Sequence, residues 1–388
     1  MIAVAAKTLY SPINHFDRPL VLIDDGVVVK LGSRHSLEVP SNVKILEFGD
    51  CILAPGLVDI HVHGAAGFDV MQVDEGGPCS MEQFLARRGV TSYFPTTIAA
   101  PWNATLTALE RLAMQIERAK QNADDCKGRA QPLGIHLEGP FLSHARRGVH
   151  PLENLLLPSL KTFDKLWQAA RGHIALMTIA PELEGASEVI AEASRRGVCV
   201  SLGHSDADLQ AARSGVEAGA RHATHTFNAM RPLSHREPGI LGEILTNPAL
   251  TADVIADGMH VNPVMVKLLL NIKRSENTVL ITDAISATGM PDGHYQLGPI
   301  EVELKDGRCL SEGKLAGSVL TMDRAVRNVM EFAQWDLQQS LRAATLNPAR
   351  VAGAKGKGAL EAGADADLIA MTPAGEVVAT IIKGQLVQ

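Results

Sequence analysis

Short runs of apolar and β-branched residues alternate with amphipathic segments through the middle of the chain. The runs have the length of strands, and the segments between them repeat apolar residues at helical spacing. After the second run, for example, Leu106, Leu109, Leu112 and Ile116 recur every three or four positions. The pattern predicts eight strands, at residues 52–63, 90–97, 133–139, 174–181, 198–204, 222–228, 250–257 and 278–284. Eight strand-then-helix units in succession predict an α/β fold, a (β/α)8 TIM-like barrel of parallel strands.

The two ends of the chain do not continue this alternation. Near the start, residues 19–30 have a hairpin-like pattern around Asp25-Gly26, and the tail contains two more strand-like runs. Because neither end can form a convincing core alone, we expect the two ends to pair in one small β-sandwich domain. The predicted boundaries are 1–53 plus 355–388 for the small domain and 54–354 for the barrel.

Composition and charge narrow the class of protein. Of the 388 residues, 46% are hydrophobic and 20% are charged, which is typical of a globular protein with a large core. The formal net charge of −7 argues against a nucleic-acid or anionic-membrane partner, because either surface would need a basic field. The five cysteines are scattered without a CxxC spacing, and neither a secretory leader nor a membrane-spanning run is evident. We therefore expect a cytoplasmic protein.

Histidines and carboxylates fall where the predicted strands end. His61 and His63 close the first strand, and because strand side chains alternate, both imidazoles point the same way. The other residues, in the order of their strands, are Glu138, His204, His225 and Asp283. The carboxyl ends of barrel strands meet at one face, so we expect these side chains to converge there. Imidazole nitrogen and carboxylate oxygen are ligands of zinc and similar ions, so the pattern predicts a metal-dependent hydrolase.

These donors divide into two ligand sets. Two ions that share a water would lower its pKa and polarise a carbonyl group at the same time. A lone histidine is more often a hydrogen-bonded core residue, and it is the joint pattern that favours metal binding. His136 and His222 are expected to have structural roles, because strand alternation turns them elsewhere. The first set is Glu138, His204 and His225, and the second is His61, His63 and Asp283, with Glu138 or the water between the ions.

Residues near the predicted metal centre have predicted roles in catalysis and substrate binding. Asp283 can take a proton from the attacking water and return it to a leaving nitrogen, with a role as a pure metal ligand as the alternative. His260, after the seventh strand, is placed to stabilise the developing oxyanion. Basic loop residues could bind an anionic substrate, with simple solvation as the alternative. These residues are Arg146, Arg147, His150, Arg231 and Arg236.

Together these residues lie in motifs that resemble those of the N-acetylglucosamine-6-phosphate deacetylases of the amidohydrolase superfamily. The resemblance spans nearly the whole chain, and some members of that family keep the His-x-His pair and can hold two ions, as this chain does. No lysine ends the fourth strand, at 178–181, so the carbamylated-lysine bridge of hydantoinase-like relatives is not expected. The motifs that carry the resemblance are residues 55–64, 136–141, 202–205, 225–230, 236–239, 257–260, 282–284 and 315–318.

The resemblance implies roles for individual residues. It implies a metal held by Glu138, His204 and His225, Asp283 as the acid and base, and His260 on the acetamide carbonyl. The expected ion is zinc, with iron or manganese as alternatives, and one or two ions bind per subunit. In the family, the arginine that matches Arg236 reaches the neighbouring subunit's site, which implies a homodimer. The implied substrate-binding residues are His150 on the sugar, Asn228, Ala229 and Arg236 on the phosphate, His260, and the pocket-lining loop of Leu315, Ala316 and Gly317.

The reaction implied by the resemblance is hydrolysis of N-acetylglucosamine 6-phosphate to glucosamine 6-phosphate and acetate. The same reaction on the galactosamine epimer is the closest alternative, because the sequence does not resolve the loop contacts that select one hydroxyl orientation. A catalytically silent scaffold is a second alternative, although such proteins usually lose metal ligands. A cyclic-amide hydrolase is a third, and it would hydrolyse a hydantoin and leave the phosphosugar unchanged.

Overall fold

The computed structural model describes residues 1–72, 79–121 and 127–387, and the structural statements below concern these residues. Cys126, one of the five cysteines, and Gln388, the last residue of the predicted small domain, lie outside them. Among the described residues, Cys51, Cys199 and Cys309 are free thiols. None of the helices in this part of the chain combines the length and the apolar composition that crossing a membrane requires.

A curled sheet of parallel strands forms the centre of the molecule. The strand Leu57–Val62 pairs with Val90–Pro95, and the six strands from Ile135–Glu138 to Thr278–Ile281 pair with one another in chain order. Parallel bridges from Thr96 to His136 and from Val62 to Ala284 connect the two groups, so the first and last strands are neighbours. The strands are β1 Leu57–Val62, β2 Val90–Pro95, β3 Ile135–Glu138, β4 Ile174–Ile179, β5 Cys199–Leu202, β6 His222–Ala223, β7 Thr251–Ile255 and β8 Thr278–Ile281.

The single strand predicted at 52–63 is in fact two strands that belong to different sheets. Ile52–Pro55 pairs with strands from the two chain ends, whereas Leu57–Val62 pairs with β2. The division falls at Gly56, where a Cβ atom would lie only 2.2 Å from the Thr91 hydroxyl oxygen. The apolar run is continuous because both strands are fully buried, so hydrophobicity alone does not reveal the break.

Amphipathic helices pack against the sheet between successive strands. In the helix Trp102–Gln121, the residues predicted from helical spacing face the core, and Leu109, Leu112 and Ile116 are fully or almost fully buried. Asp208 caps the helix Leu209–Ala218 by accepting a hydrogen bond from the Ala211 backbone N–H. The helices are α1 Cys79–Arg87, α2 Trp102–Gln121, α3 Leu160–Ala169, α4 Ala186–Arg195, α5 Leu209–Ala218, α6 Gly239–Thr246, α7 Pro263–Asn277, α8 Met322–Ala333, α9 Leu337–Ala344 and α10 Leu346–Val351, with short 3-10 helices at Val70–Gln72, His144–Arg146 and Leu152–Asn154.

Both ends of the chain contribute strands to one six-stranded sheet. Its order is Gln385–Leu386, Val377–Ile382, Leu368–Met371, Ile52–Pro55, Thr8–Tyr10 and His15–Asp17. A four-stranded sheet adjoins it, in the order Val27–Ser33, Pro19–Asp24, Ile2–Ala5 and Lys44–Glu47, and includes the predicted hairpin. Apolar side chains from both sheets, such as Val21 and Leu368, share one cluster.

An antiparallel sheet between β8 and α8 was not predicted. Its outward residues Glu301 and Glu303 are exposed, whereas Val302 and Leu304 are buried against residues that follow Asp283 along the chain. This alternation is the usual mark of a sheet with one solvated face. Its strands are Gly293–Leu297, Ile300–Lys305, Arg308–Ser311 and Lys314–Leu315, and a second short hairpin pairs Gly64–Ala65 with Phe68–Asp69.

Candidate active site and metal centre

Glu138, at the end of β3, lies at the centre of a buried cluster of imidazoles. Its Oε1 atom is 3.1 Å from Nε2 of His225 and 3.3 Å from Nε2 of His204. Its Oε2 atom is 3.3 Å from Nε2 of His63. The carboxylate therefore faces histidines from three other parts of the sheet, and each residue of this group is at most 5% exposed.

Asp283 completes the cluster on the β1 side. Its Oδ1 atom is 3.1 Å from Nε2 of His63 and 3.4 Å from Nε2 of His61. All six predicted metal-ligand residues are thus close to one another. Within the described residues, two groups have potential ligand atoms that all lie within 4.8 Å of one another: His61, His63 and Glu138, and Glu138, His204 and His225.

The packing of the imidazoles suits a divalent cation. The Nε2 atoms of His204 and His225 are 3.0 Å apart, and those of His61 and His63 are 3.1 Å apart. Two ring nitrogens at this distance can share at most one proton, so lone pairs converge on the same space. A cation accepts several such lone pairs at once, and imidazole with carboxylate is a donor set that zinc and related ions prefer. The residues present therefore fit a metal centre.

Backbone carbonyls orient two of the imidazoles toward this space. The Nδ1 atom of His63 is 3.0 Å from the Thr96 carbonyl oxygen, and that of His204 is 2.9 Å from the Arg146 carbonyl oxygen. A carbonyl can only accept, so Nδ1 carries the proton in both rings. The Nε2 atom of each ring is then directed at the cluster, where a bound cation would displace a proton from it and take its lone pair, which is the usual arrangement of a metal-binding histidine.

The backbone turns sharply at three of the predicted metal-ligand residues, where their strands end. His204, His225 and Asp283 have φ values of +47°, +31° and +52°. Non-glycine residues in this region cost about 1–3 kcal/mol each, and such strain concentrates at functional sites. The predicted strand 222–228 is short for the same reason, because only His222–Ala223 is extended and His225 lies in the turn beyond it.

The ionisable groups of the cluster raise and lower one another's pKa. Burial opposes the charge on His63, but its hydrogen bonds with Asp283 and Glu138 raise its pKa to about 10. Burial opposes ionisation of Asp283, but the charge of His61 and the hydrogen bond with His63 lower its pKa to about 2. Burial also opposes ionisation of Glu138, and the surrounding histidines lower its pKa well below its usual range. Two ionised carboxylates therefore attract positive charge to the centre of the cluster.

His260 and His150 lie beside the cluster, each with a defined partner. Nδ1 of His260 is 2.6 Å from the Asp257 carboxylate, which fixes the ring. Nδ1 of His150 accepts a hydrogen bond from the Ala99 backbone N–H, so its Nε2 carries the proton and lies 3.6 Å from Glu138. A cavity of about 160 Å³ opens over these groups, and its lining includes His63, Glu138, His150, His204, His225, Asn228, Ala229, His260, Asp283, Leu315 and Gly317.

Two predicted substrate-binding residues do not line this cavity. Ala316 is buried beneath the antiparallel sheet, where its backbone N–H donates to the Cys309 carbonyl. Arg236 is exposed in the loop before α6. Two other basic loop residues, Arg146 and Arg231, both form ion pairs with Asp206, at 2.8 and 3.3 Å, so that one carboxylate offsets part of their combined charge.

His136 and His222 occupy structural positions below the cluster, as expected from the sequence. His136 bonds to the Ile60 carbonyl oxygen and the Thr178 hydroxyl, and His222 bonds to Asp253 and Thr251. Sequence reasoning assigned no role to Asp257 or to the two buried carboxylates Asp59 and Asp253. Asp257 stands three residues before His260, and that spacing at the end of a strand was the available signal.

Comparisons with known proteins agree with this geometry. The model of the Amidohydrolase family matches residues 52–387. The chain is 36% identical over 383 residues to an N-acetylgalactosamine-6-phosphate deacetylase of Escherichia coli O157:H7, which covers 98% of each chain. It is also 36% identical over 367 residues to an N-acetylglucosamine-6-phosphate deacetylase of Bacillus subtilis (strain 168), covering 94% of this chain and 91% of that one.

Solved structures give the same result. A variant of the N-acetyl-D-glucosamine-6-phosphate deacetylase of Mycobacterium smegmatis, in complex with N-acetyl-D-glucosamine 6-phosphate, superposes with a TM-score of 0.91. The two chains are 30% identical, and the match covers 100% of this chain and 99% of that one. The chain therefore belongs to the amidohydrolase family, in the group that contains the N-acetylglucosamine-6-phosphate deacetylases.

Proposed function

We propose that this protein hydrolyses the N-acetyl group of N-acetylglucosamine 6-phosphate, releasing acetate and glucosamine 6-phosphate. The observation that carries the proposal is the Glu138-centred cluster, which meets Asp283 and His260 in one cavity. The names of the similar proteins from B. subtilis and M. smegmatis support the choice of substrate.

The proposed metal sites use the donors that meet at Glu138. Glu138, His204 and His225 would hold one ion, and His61, His63 and Asp283 would complete a second site beside it. We propose zinc, with iron or manganese as alternatives, and one or two ions per subunit. A bound ion of this kind lowers the pKa of a water and polarises the acetyl carbonyl.

Asp283 is the proposed proton carrier. Its low pKa, caused by the neighbouring imidazoles, keeps it ionised near neutral pH and able to accept a proton from the attacking water. It then passes that proton to the amine nitrogen as the C–N bond breaks. The carbonyl carbon gains the water oxygen and loses the amine, so acetate and the free amino sugar are the two products.

His260 is the proposed partner of the acetyl oxygen. The Asp257 carboxylate lies against Nδ1 and accepts its hydrogen bond. The other ring nitrogen, Nε2, would donate to the oxygen on which negative charge develops in the tetrahedral intermediate. The short Nδ1 contact limits rotation of the imidazole, so the donor is oriented before the substrate arrives.

The remaining lining residues are proposed to position the sugar phosphate. His150 would contact the sugar, Asn228 and Ala229 would bind the phosphate, and Leu315 and Gly317, with Ala316 between them, would form the pocket wall. Arg236 is exposed and does not line the cavity of its own chain. This position supports a homodimer in which each Arg236 binds the phosphate in the neighbouring site.

The barrel, the small domain and the cellular location are part of the same proposal. We infer that the curled sheet and its helices form a (β/α)8 barrel of residues 54–354. Residues 1–53 and 355–388 would form the small β-sandwich domain, because their sheets share an apolar cluster. The protein is proposed to act in the cytoplasm, where free thiols persist.

Deacetylation of N-acetylgalactosamine 6-phosphate is a second candidate function. The similarity to the E. coli protein of that name, over 98% of the chain, favours it. Acetate release should therefore be measured on both epimers and on unphosphorylated N-acetylglucosamine, with protein of known metal content. The proposal predicts a higher kcat/KM for N-acetylglucosamine 6-phosphate than for N-acetylgalactosamine 6-phosphate or unphosphorylated N-acetylglucosamine. The opposite epimer preference would select the second candidate, and no release from any of the three would refute both.

A further inference from the structure

Two carboxylates lie below the metal cluster and take no part in it. Asp59 on β1 and Asp253 on β7 are both 0% exposed. Neither lines the cavity, and neither belongs to the ligand groups found among the described residues. Burying a carboxylate is costly unless hydrogen bonds satisfy it, so the partners of these two groups indicate their purpose.

Asp59 bonds to the backbone on both sides of the point where β1 meets β8. Its Oδ1 atom accepts from the backbone N–H groups of His61, at 3.2 Å, and Thr282, at 3.4 Å. Its Oδ2 atom accepts from the Thr282 hydroxyl at 2.5 Å. Thr282 immediately precedes Asp283, which has a φ of +52°. The Asp59 carboxylate therefore fixes the backbone of His61 and that of Thr282, the residue before the strained Asp283.

Asp253 makes similar contacts beside the first ligand set, that of Glu138, His204 and His225. Its Oδ1 atom accepts from the backbone N–H of His225, whose φ is +31°. Its Oδ2 atom is 3.0 Å from Nε2 of His222. The Asp253 carbonyl also accepts from the Thr226 N–H, so side chain and backbone together hold the turn that presents His225.

We propose that Asp59 and Asp253 are positioning residues that hold the strained backbone of the ligand-bearing strand ends, so that His61, Asp283 and His225 converge on the metal. The inference rests on the proposed metal centre. Positive φ at a non-glycine residue persists only when surrounding contacts enforce it. Loss of the acceptor would leave a buried N–H unpaired and let the turn relax, which moves the ligand atom away from its partners.

The test replaces each carboxylate in two ways. Asp59→Ala and Asp253→Ala remove the acceptor, whereas Asp59→Asn and Asp253→Asn retain a side-chain oxygen for the backbone N–H. Asp367 is the matched control, because it is buried and accepts from the Lys383 backbone N–H and from Lys357. It directly precedes the strand Leu368–Met371 of the six-stranded sheet, which is separate from the sheet that carries the cluster. The measured quantity is the Zn²⁺ dissociation constant of each full-length protein, obtained by competition with a chromophoric chelator. Thermal unfolding of the same samples reports stability separately.

The expected result separates positioning from a general loss of stability. Partners that orient metal ligands typically change metal affinity by about 10–100-fold, so the two alanine variants should bind Zn²⁺ that much more weakly than wild type. The asparagine variants should stay within about threefold of wild type, because the backbone contact is retained. Asp367→Ala should unfold at a lower temperature yet bind Zn²⁺ as wild type does.

Three outcomes would overturn the inference. Alanine variants with wild-type affinity would show that the backbone contacts do not position the ligands. Asparagine variants as weak as the alanine variants would assign the effect to negative charge instead. An equal loss of affinity in Asp367→Ala would assign it to global stability. If an alanine variant does not fold, the asparagine comparison still decides between contact and charge.

These results are distinguishable from failure of the proposed function. Wild-type protein that binds Zn²⁺ and releases acetate, with alanine variants of unchanged affinity, would refute only the positioning role. Wild-type protein that binds none of Zn²⁺, Fe²⁺ and Mn²⁺ would refute the metal centre, and the positioning role with it. Zn²⁺ binding with the expected variant pattern but no acetate release would refute the deacetylation and leave the positioning role supported.

Discussion

Replacing Asp283 with asparagine removes the proposed proton carrier and changes little else. The side chain is 12% exposed, and its Oδ1 atom faces His63 at 3.1 Å and His61 at 3.4 Å. Asparagine has the same shape and retains an oxygen that can occupy this position. The first ligand set, centred on Glu138, contains no atom of Asp283, so the variant should still bind an ion there.

The size of the effect follows from what the substitution removes. An amide cannot accept the proton that the attacking water must lose. General acid–base catalysis contributes about 10²–10⁴-fold, and each tenfold loss corresponds to about 1.36 kcal/mol of barrier. Asp283→Asn should therefore raise the barrier by about 2.7–5.4 kcal/mol. The effect should fall on kcat, while KM changes by less than about threefold, because the cavity keeps its shape.

The assay is acetate release from N-acetylglucosamine 6-phosphate, with wild type and variant compared at equal measured metal content. Asp367→Asn serves as the control, because that buried carboxylate directly precedes the strand Leu368–Met371 of the sheet formed by the chain ends, so its replacement should leave kcat unchanged. If Asp283→Asn turned over substrate within about threefold of wild type while holding the same metal, Asp283 would not be the proton carrier.

Three further predictions concern the metal, the substrate phosphate and the chain ends. Chelation should abolish acetate release and lower the unfolding temperature, since an ion at 100 times its Kd stabilises the fold by about 2.7 kcal/mol, and added Zn²⁺ should restore both. Arg236→Ala should raise KM for the phosphorylated sugar about 10–100-fold, as expected for a lost charged hydrogen bond, without changing the unfolding temperature. Burial opposes the charge on Lys357, but Asp367 and Asp365 raise its pKa, so its stabilising effect is complete below the unfolded lysine pKa of about 10.4 and is lost as pH rises through the folded value. Lys357→Met should lower the urea-unfolding free energy by about 3 kcal/mol at pH 7 and by less at a pH above the unfolded lysine pKa of about 10.4. Unchanged unfolding with chelator, an unchanged KM, or equal losses at both pH values would contradict the respective prediction.

The convergence of the metal-ligand residues was predictable because it depends on regular geometry. Alternation along a strand places His61 and His63 on one side, and the observed Nε2 separation of 3.1 Å confirms this orientation. Parallel strands that end at one edge bring Glu138 and Asp283 to the same place, although 145 positions separate them in the sequence. The sequence pattern therefore contained the site's location.

Features that depend on close contacts were not predictable from hydrophobic pattern. The break at Gly56 lies within a buried run, at a position where the Thr91 side chain leaves no room for a Cβ atom. The antiparallel sheet that follows β8 carries a clear alternation, from Glu301 to Leu304, and the Asp306-Gly307 turn was available as a signal, so this element was missed and could have been found.

Positioning contacts were the least visible from sequence. Asp59 and Asp253 lie on strands that are mostly buried and apolar, where an isolated carboxylate gives no indication of its partner. Their roles depend on backbone N–H groups of residues that are distant in sequence, such as Thr282 for Asp59. Which residues line the cavity was also hidden in the sequence. Ala316 is turned into the core, although its neighbours Leu315 and Gly317 line the cavity.

The central claim is that Glu138, His204 and His225 together hold a divalent ion. Anomalous diffraction from crystals of the protein, collected on either side of the zinc absorption edge, measures this directly. The account predicts a peak about 2.0–2.2 Å from one oxygen of Glu138 and one nitrogen of each histidine, in crystals grown from protein that releases acetate. Fully active protein whose crystals show no anomalous peak at Glu138 at any metal edge would contradict it.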